Sequence, residues 1–129
     1  CSRGGQNDYP YGSSFDRKLC NGASNPEHGG MPVDVDGLAA CTTPGGVVNL
    51  SGNAAEWVDE CTDASGASDV CNVRGGSFRD DDNSLRCSVK IAPERHKRQD
   101  FVGFRCCGYA SGARATNLSR DGTKGGHPT

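Results

Sequence analysis

The sequence is short of apolar residues, which make up 33% of its 129 positions, and it has no long aliphatic run. Val47-Val48 and the stretch from Phe101 to Phe104 are among the richest places. Nothing approaches the eighteen or so apolar residues of a membrane-spanning helix. Such a chain has enough length for one domain and a core that is thin for that length. An excess of charge of either sign is lacking too. The formal net charge is −2 with acids and bases interspersed, so there is no basic face for nucleic acid. The one basic cluster, Arg95-His96-Lys97-Arg98, follows Glu94 and reads as a solvated loop. Zinc-ligand spacing is missing: there is no Cys-x-x-Cys pair, and His28, His96 and His127 follow no ligand pattern. A secretory leader and an initiator methionine are also missing, so the sequence is expected to be incomplete at its N-terminus, as a processed product or a fragment.

Glycine and cysteine are abundant, with 19 and 8 residues, alongside 6 prolines. Glycine costs about 1 kcal/mol relative to alanine inside a helix, and here it is scattered throughout, so long helices are not expected. Short strands and tight turns are. Gly4-Gly5, Tyr9-Pro10-Tyr11-Gly12, Asn21-Gly22, Gly29-Gly30 and Pro44-Gly45-Gly46 break residues 1–48 into loops. Residues 47–58 are the most organised: Val47, Val48, Leu50, Trp57 and Val58 offer apolar surface around a turn at Ser51-Gly52-Asn53. Strand candidates follow at 73–78, 85–91 and 101–107, the first with glycines where backbone or ligand comes close. From 108 to 129 there is almost nothing to bury, and a disordered Gly/Ser/Arg-rich tail is expected. The well-spread cysteines read as disulfides in an oxidising, extracytoplasmic compartment (periplasmic or secreted). Eight free thiols in a cytosolic protein is the alternative.

Three segments in order carry a resemblance. They are Asn49-Leu-Ser-Gly-Asn-Ala-Ala-Glu-Trp57, then Val73-Arg-Gly-Gly-Ser-Phe78, then Leu85-Arg-Cys87 with Val102-Gly-Phe-Arg-Cys106. Together they resemble the signature of the formylglycine-generating-enzyme, or sulfatase-modifying-factor, family. Cys1-Ser-Arg-Gly-Gly5 and Tyr9-Pro-Tyr-Gly12 are similar to the family segment before its midpoint. The resemblance covers residues 1–107 and implies the C-terminal part of a domain about twice this length, with the N-terminal half as a missing partner. The fold it implies is α+β with little regular secondary structure, related to C-type lectins.

The resemblance also implies a structural calcium ion held by Asn49 and Glu56 side chains and by the backbone carbonyls of Gly52 and Ala54. The chemistry is suitable, since calcium takes six to eight oxygens and a tight turn can present carbonyls inward. The residues alone equally allow Asn49 and Asn53 to hydrogen-bond the turn while Glu56 pairs locally. A second family site would involve Asn21 and residues near Asn25, but its later ligands are unmatched. Arg79-Asp80-Asp81-Asp82-Asn83 fails as an EF-hand loop, because it lacks glycine at the sixth position and glutamate at the twelfth; a solvated acidic loop is expected.

The family enzymes oxidise a substrate cysteine with copper bound by two cysteines after the Arg-Gly-Gly-Ser motif, soft thiolates being suited to Cu(I). Here Arg79 to Ser84 contains no cysteine, so no copper is expected. Ala55 stands where the family has tryptophan. Ser77 matches the family's active-site serine, without a recognisable base. The resemblance implies a Cys1–Cys87 disulfide and a partner for Cys106 in the absent half. Cys61 and Cys71 flank a short polar loop that suits a local bridge, and Cys20 with Cys41 is the remaining plausible pair; adjacent Cys106 and Cys107 stay unassigned. The expected function is a non-catalytic, calcium-stabilised extracytoplasmic module that binds a protein or glycan or gives structural support. Two alternatives stand beside it. One is an oxidoreductase of the formylglycine-generating and iron-dependent sulfoxide synthase superfamily, with catalytic residues partly outside this chain. The other is an unrelated small disulfide protein.

Overall fold

The computed structural model describes residues 1–63 and 65–106. The tail expected over 108–129 and Cys107 lie outside the described residues. Four short strands, β1 (Ala55–Cys61), β2 (Cys71–Arg74), β3 (Lys90–Ile91) and β4 (Val102–Gly103), form one mixed sheet in the order β3-β2-β1-β4. β2 runs antiparallel to both its neighbours, whereas β4 lies parallel to β1 with Ala55 opposite Val102 and Glu56 opposite Gly103. Among the described residues the helical content is a single 3-10 turn, Asp82–Leu85, capped by the Asp81 side chain accepting from the Asp82 N–H.

The strands are shorter than the residue pattern suggested. The 73–78 candidate stops at Arg74 because Gly75 and Gly76 turn the chain at φ +93° and +63°, outside the extended region. Gly75 comes so close to the Leu50 carbonyl that a Cβ there would sit 2.9 Å from it. Leu85 belongs to the 3-10 turn, leaving only Lys90–Ile91 of the 85–91 candidate in the sheet.

Period-two alternation shows on β2, where Cys71 and Val73 are buried while Asn72 and Arg74 face outward. Both outward residues donate to the Glu60 carboxylate, Asn72 at 2.6 Å and Arg74 at 3.1 Å. The hydrogen bonds from Asn72 and then Arg74 hold the Glu60 carboxyl below its ordinary value. Any stability from this contact is therefore present above about pH 4.5 and is lost as the pH falls below it.

The core is not the one the aliphatic residues announced. Val47 is 41% exposed, and Val48, Leu50, Trp57 and Val58 are only half-buried. The same segment buries Asn49, Ser51, Gly52, Asn53 and Ala55 instead. Around them pack Tyr9, Val73, Phe78 and Leu85 with the cystine sulfurs of Cys20, Cys41 and Cys71. Two of the buried polar side chains stand in for backbone partners. The Ser51 hydroxyl donates to the Leu85 carbonyl at 2.5 Å. The Asn53 amide mimics a peptide unit, accepting from the Val33 N–H at 2.9 Å and donating to the Val33 carbonyl at 3.0 Å.

The acidic run after Phe78 is also only partly solvated. Tyr9 stacks on Tyr11 at 5.5 Å between ring centroids, and its hydroxyl donates to the Asp82 carboxylate in a very short bond. Burial first, and then that hydrogen bond, push the Tyr9 phenol above its ordinary value of 10. The contribution is intact below pH 10 and erodes above it, where the unfolded chain's phenol ionises first.

Three disulfides join the loops that the small core cannot hold: Cys1–Cys87, Cys20–Cys41 and Cys61–Cys71, with sequence separations of 86, 21 and 10. The structure thus brings together each of the three pairs considered above, and it leaves Cys106 unpaired and exposed. The Cys1–Cys87 bridge is reinforced by the Cys87 N–H donating to the Asp8 carbonyl at 2.7 Å. In the chain-entropy picture the longest loop is worth about 4.5 kcal/mol and the shortest about 2.5–3 kcal/mol. Replacing Cys1 and Cys87 together by serine should therefore lower the thermal midpoint more than replacing Cys61 and Cys71. Differential scanning calorimetry of the two double variants checks the order.

Candidate functional site

The turn that leads into β1 is shaped by three positive φ angles, Asn49 at +55°, Gly52 at +72° and Asn53 at +64°. Gly52 is where no other residue fits. A Cβ there would lie 2.5 Å from the Asn21 carbonyl oxygen, while the Gly52 N–H donates to the Gly75 carbonyl at 2.8 Å. Asn53 N–H in turn reaches the Asn21 carbonyl at 2.7 Å, and Phe78 N–H reaches the Asn53 carbonyl at 2.8 Å. The turn is thereby clamped between the Asn21 loop and the double-glycine segment.

Of the four oxygen positions read from the sequence, Asn49, Ala54 and Glu56 line one cavity of about 260 Å³, with Val35, Phe104 and Arg105 on its other walls. Gly52 is not on that lining and serves the clamp behind it. Asn49 is 6% exposed; its amide nitrogen donates to the Val35 carbonyl at 2.6 Å, but its buried Oδ1 has no hydrogen-bond partner among the described residues. An unmade bond at a buried acceptor is costly, so this oxygen stands ready for a donor or a cation. Asn21 presents a second buried, unpartnered Oδ1, its nitrogen being shared between the Met31 carbonyl and the Asn53 Oδ1. Asn25 is fully used in its own turn, accepting from the Glu27 and His28 N–H groups.

The residue that the sequence did not single out is Arg105. Its Nε donates to both Glu56 oxygens at 3.0 and 3.2 Å, and its Nη2 donates to Glu56 Oε1 at 2.7 Å. Nη2 also reaches the Val48 carbonyl at 2.9 Å and the Asn49 carbonyl at 3.4 Å. A guanidinium fork thus ties the β4 exit to the turn and to β1. Its only signal in the sequence was its place in Val102-Gly-Phe-Arg-Cys106, which reports kinship rather than contact. Any cation entering this cavity shares Glu56 with Arg105.

Ser77 is not on that cavity and is buried, at 0% exposure. Its Oγ donates to Asp80 Oδ2 at 2.7 Å, its N–H donates to the same oxygen at 2.8 Å, and its Oγ accepts from the Arg79 N–H at 3.2 Å. This is a turn lock, with no imidazole bonded to the serine among the described residues. Among the described residues no three His, Cys, Asp or Glu side chains converge where an ion could sit. No helix among them is long and apolar enough to cross a membrane.

The family model for the sulfatase-modifying factor enzyme 1-like domain matches residues 1–109. No curated protein matches the chain.

Two substitutions probe this geometry. Gly52→Ala meets both a left-handed φ and the Asn21 carbonyl, and should cost well over 1 kcal/mol in denaturant unfolding. A double-mutant cycle of Arg105→Ala with Glu56→Gln should return a coupling of about 1 kcal/mol, because the pair is bidentate and partly buried.

Proposed function

The chain belongs to the sulfatase-modifying factor enzyme 1-like domain family, and from that premise we propose that it is a non-catalytic, calcium-stabilised extracytoplasmic module, used for binding a protein or glycan or for structural support. The observation that carries the calcium part is the buried, unpartnered Asn49 Oδ1 on the same cavity as the Glu56 carboxylate. These are hard oxygen donors of the kind calcium prefers. Asn49 and Glu56 would hold the ion through side chains, and the resemblance adds the carbonyls of Gly52 and Ala54. A bound calcium would supply the positive charge that satisfies Asn49 Oδ1 and would tighten the entry to β1. It would do so beside Arg105, whose charge opposes a second cation, so modest affinity is the expectation.

The non-catalytic part rests on the neighbourhood of Ser77. The residue three positions on is Asp80, a carboxylate already engaged by the serine, where the family's chemistry calls for paired thiolates. Three disulfides fit an extracellular setting. A C-type-lectin-related scaffold, of which this chain is the C-terminal part, is the fold reading that goes with this function. The absent half would be a further partner.

Thermal unfolding with calcium and with a chelator tests the reading. Calcium at about a hundred times its dissociation constant adds about 2.7 kcal/mol, which should raise the midpoint by several degrees. Asn49→Ala should abolish the rise and Asn49→Asp should keep it. Indifference of the wild-type midpoint to calcium would remove the proposal, and stoichiometric copper or iron in the purified protein would replace it with an oxidoreductase.

A further inference from the structure

Ala54, just before β1, and Glu56 line the first cavity, whereas Ala55 between them lines a second cavity of about 200 Å³. The two cavities share no lining residue. The walls of the second are apolar: Ala55, Val73, Val89, Ile91 and Phe101, with Asp80 as the carboxylate among them. Lys90 also borders it, but opposed residues on neighbouring strands share a face. Lys90 is opposite Arg74, and Ile91 is opposite Val73. The Lys90 side chain therefore projects with Arg74 toward Glu60, whose carboxyl it helps keep ionised. Ile91 and Val73 face the cavity side.

Asp80 is the informative residue. It is half-buried, and the Ser77 N–H and Oγ both donate to its Oδ2. No described residue donates to Oδ1 or forms an ion pair with Asp80. The nearest arginine in sequence, Arg79, is committed to Asp100 and lies over the Phe78 and Phe101 rings at 5.3 and 5.5 Å. A half-buried carboxylate fixed through one oxygen, with no cation beside it among the described residues and an apolar slot next to it, is an arrangement that a small cationic ligand can complete. The cavity lies below the roughly 300–1,000 Å³ of drug-sized sites, so the occupant is small.

We propose that this slot binds a primary alkylammonium group, the ammonium pairing with Asp80 and the methylene stem lying on Ala55, Val73, Val89 and Phe101. The same chemistry is offered by a free short-chain amine and by a lysine side chain of a partner protein. The proposal rests on the binding-module reading above but not on calcium.

The test is a titration of the full oxidised chain with n-butylammonium, with Nα-acetyl-lysine methylamide, and with pentanoate and n-butanol as anionic and neutral counterparts. Binding is followed by amide chemical shifts and calorimetry, with and without calcium. The expected result is saturable binding of the ammonium compounds alone, centred on Ala55, Asp80 and Ile91. Asp80→Asn should weaken it at least tenfold, whereas Asp81→Asn, equal in charge change but outside the slot, should leave it within twofold. Ala55→Leu should fill the slot, and Ile91→Lys, at a half-exposed wall, should repel the ammonium even if the leucine variant does not fold. Binding by the lysine derivative at least as tight as by butylammonium assigns a partner's lysine; preference for the free amine assigns a small metabolite. No saturable binding, equal binding of pentanoate or butanol, or full affinity in Asp80→Asn overturns the proposal. A calcium-insensitive midpoint with intact ammonium binding would instead strike only the calcium reading.

Discussion

The structure depends on one clamp: the 49–53 turn seated between the Asn21 loop and the Gly75-Gly76 segment. Gly52 touches the Asn21 carbonyl so closely that no side chain fits. Its N–H goes to Gly75, and the neighbouring Asn53 bonds the Asn21 carbonyl, Val33 and Phe78. Loops that form no sheet with one another are thereby held at one point by backbone and amide hydrogen bonds. A chain with few aliphatic residues cannot gather these loops by hydrophobic burial alone. It uses buried polar groups whose bonds are nearly all made, and disulfides that limit the unfolded ensemble.

From that clamp β1 leaves with its two faces already assigned. One carries Glu56 toward the cavity that Arg105 also lines, and the other carries Ala55 toward the slot beside Asp80. The two carboxylates fare differently for a geometric reason. Glu56 is opposite Gly103 in the parallel β1–β4 pair, which brings the β4 exit and its guanidinium within reach. Asp80 follows the glycine turn, where Ser77 satisfies one oxygen and no described cation reaches the other. The same strand thus separates an internally neutralised acid from one left open to a ligand.

How much of this was legible follows from what each signal reports. Glycine and cysteine content spoke for short strands and cross-linked loops, because helix propensity and core size are sums over composition. The ordered motifs around Asn49, Arg74 and Gly103 spoke for kinship. Hydropathy misled over Val47, Leu50 and Trp57, since the turn buries its polar residues and leaves its aliphatic ones at the rim. Nor did the run Asp80-Asp81-Asp82 disclose that Asp82 turns inward to Tyr9 while Asp81 caps a 3-10 turn.

The sequence by itself determined the family, the scarcity of regular structure and the absence of cysteine from Arg79 to Ser84. These are properties of residue identity and order, readable without coordinates. Only the tertiary structure decided that Arg105 reaches Glu56 across 49 positions, that Asn49 Oδ1 has no partner among the described residues, and that Ala55 lines a slot beside Asp80, to which no described cation is paired. Those are consequences of where loops distant in sequence come to rest, and loop placement here is set by long-range backbone hydrogen bonds that no local pattern encodes.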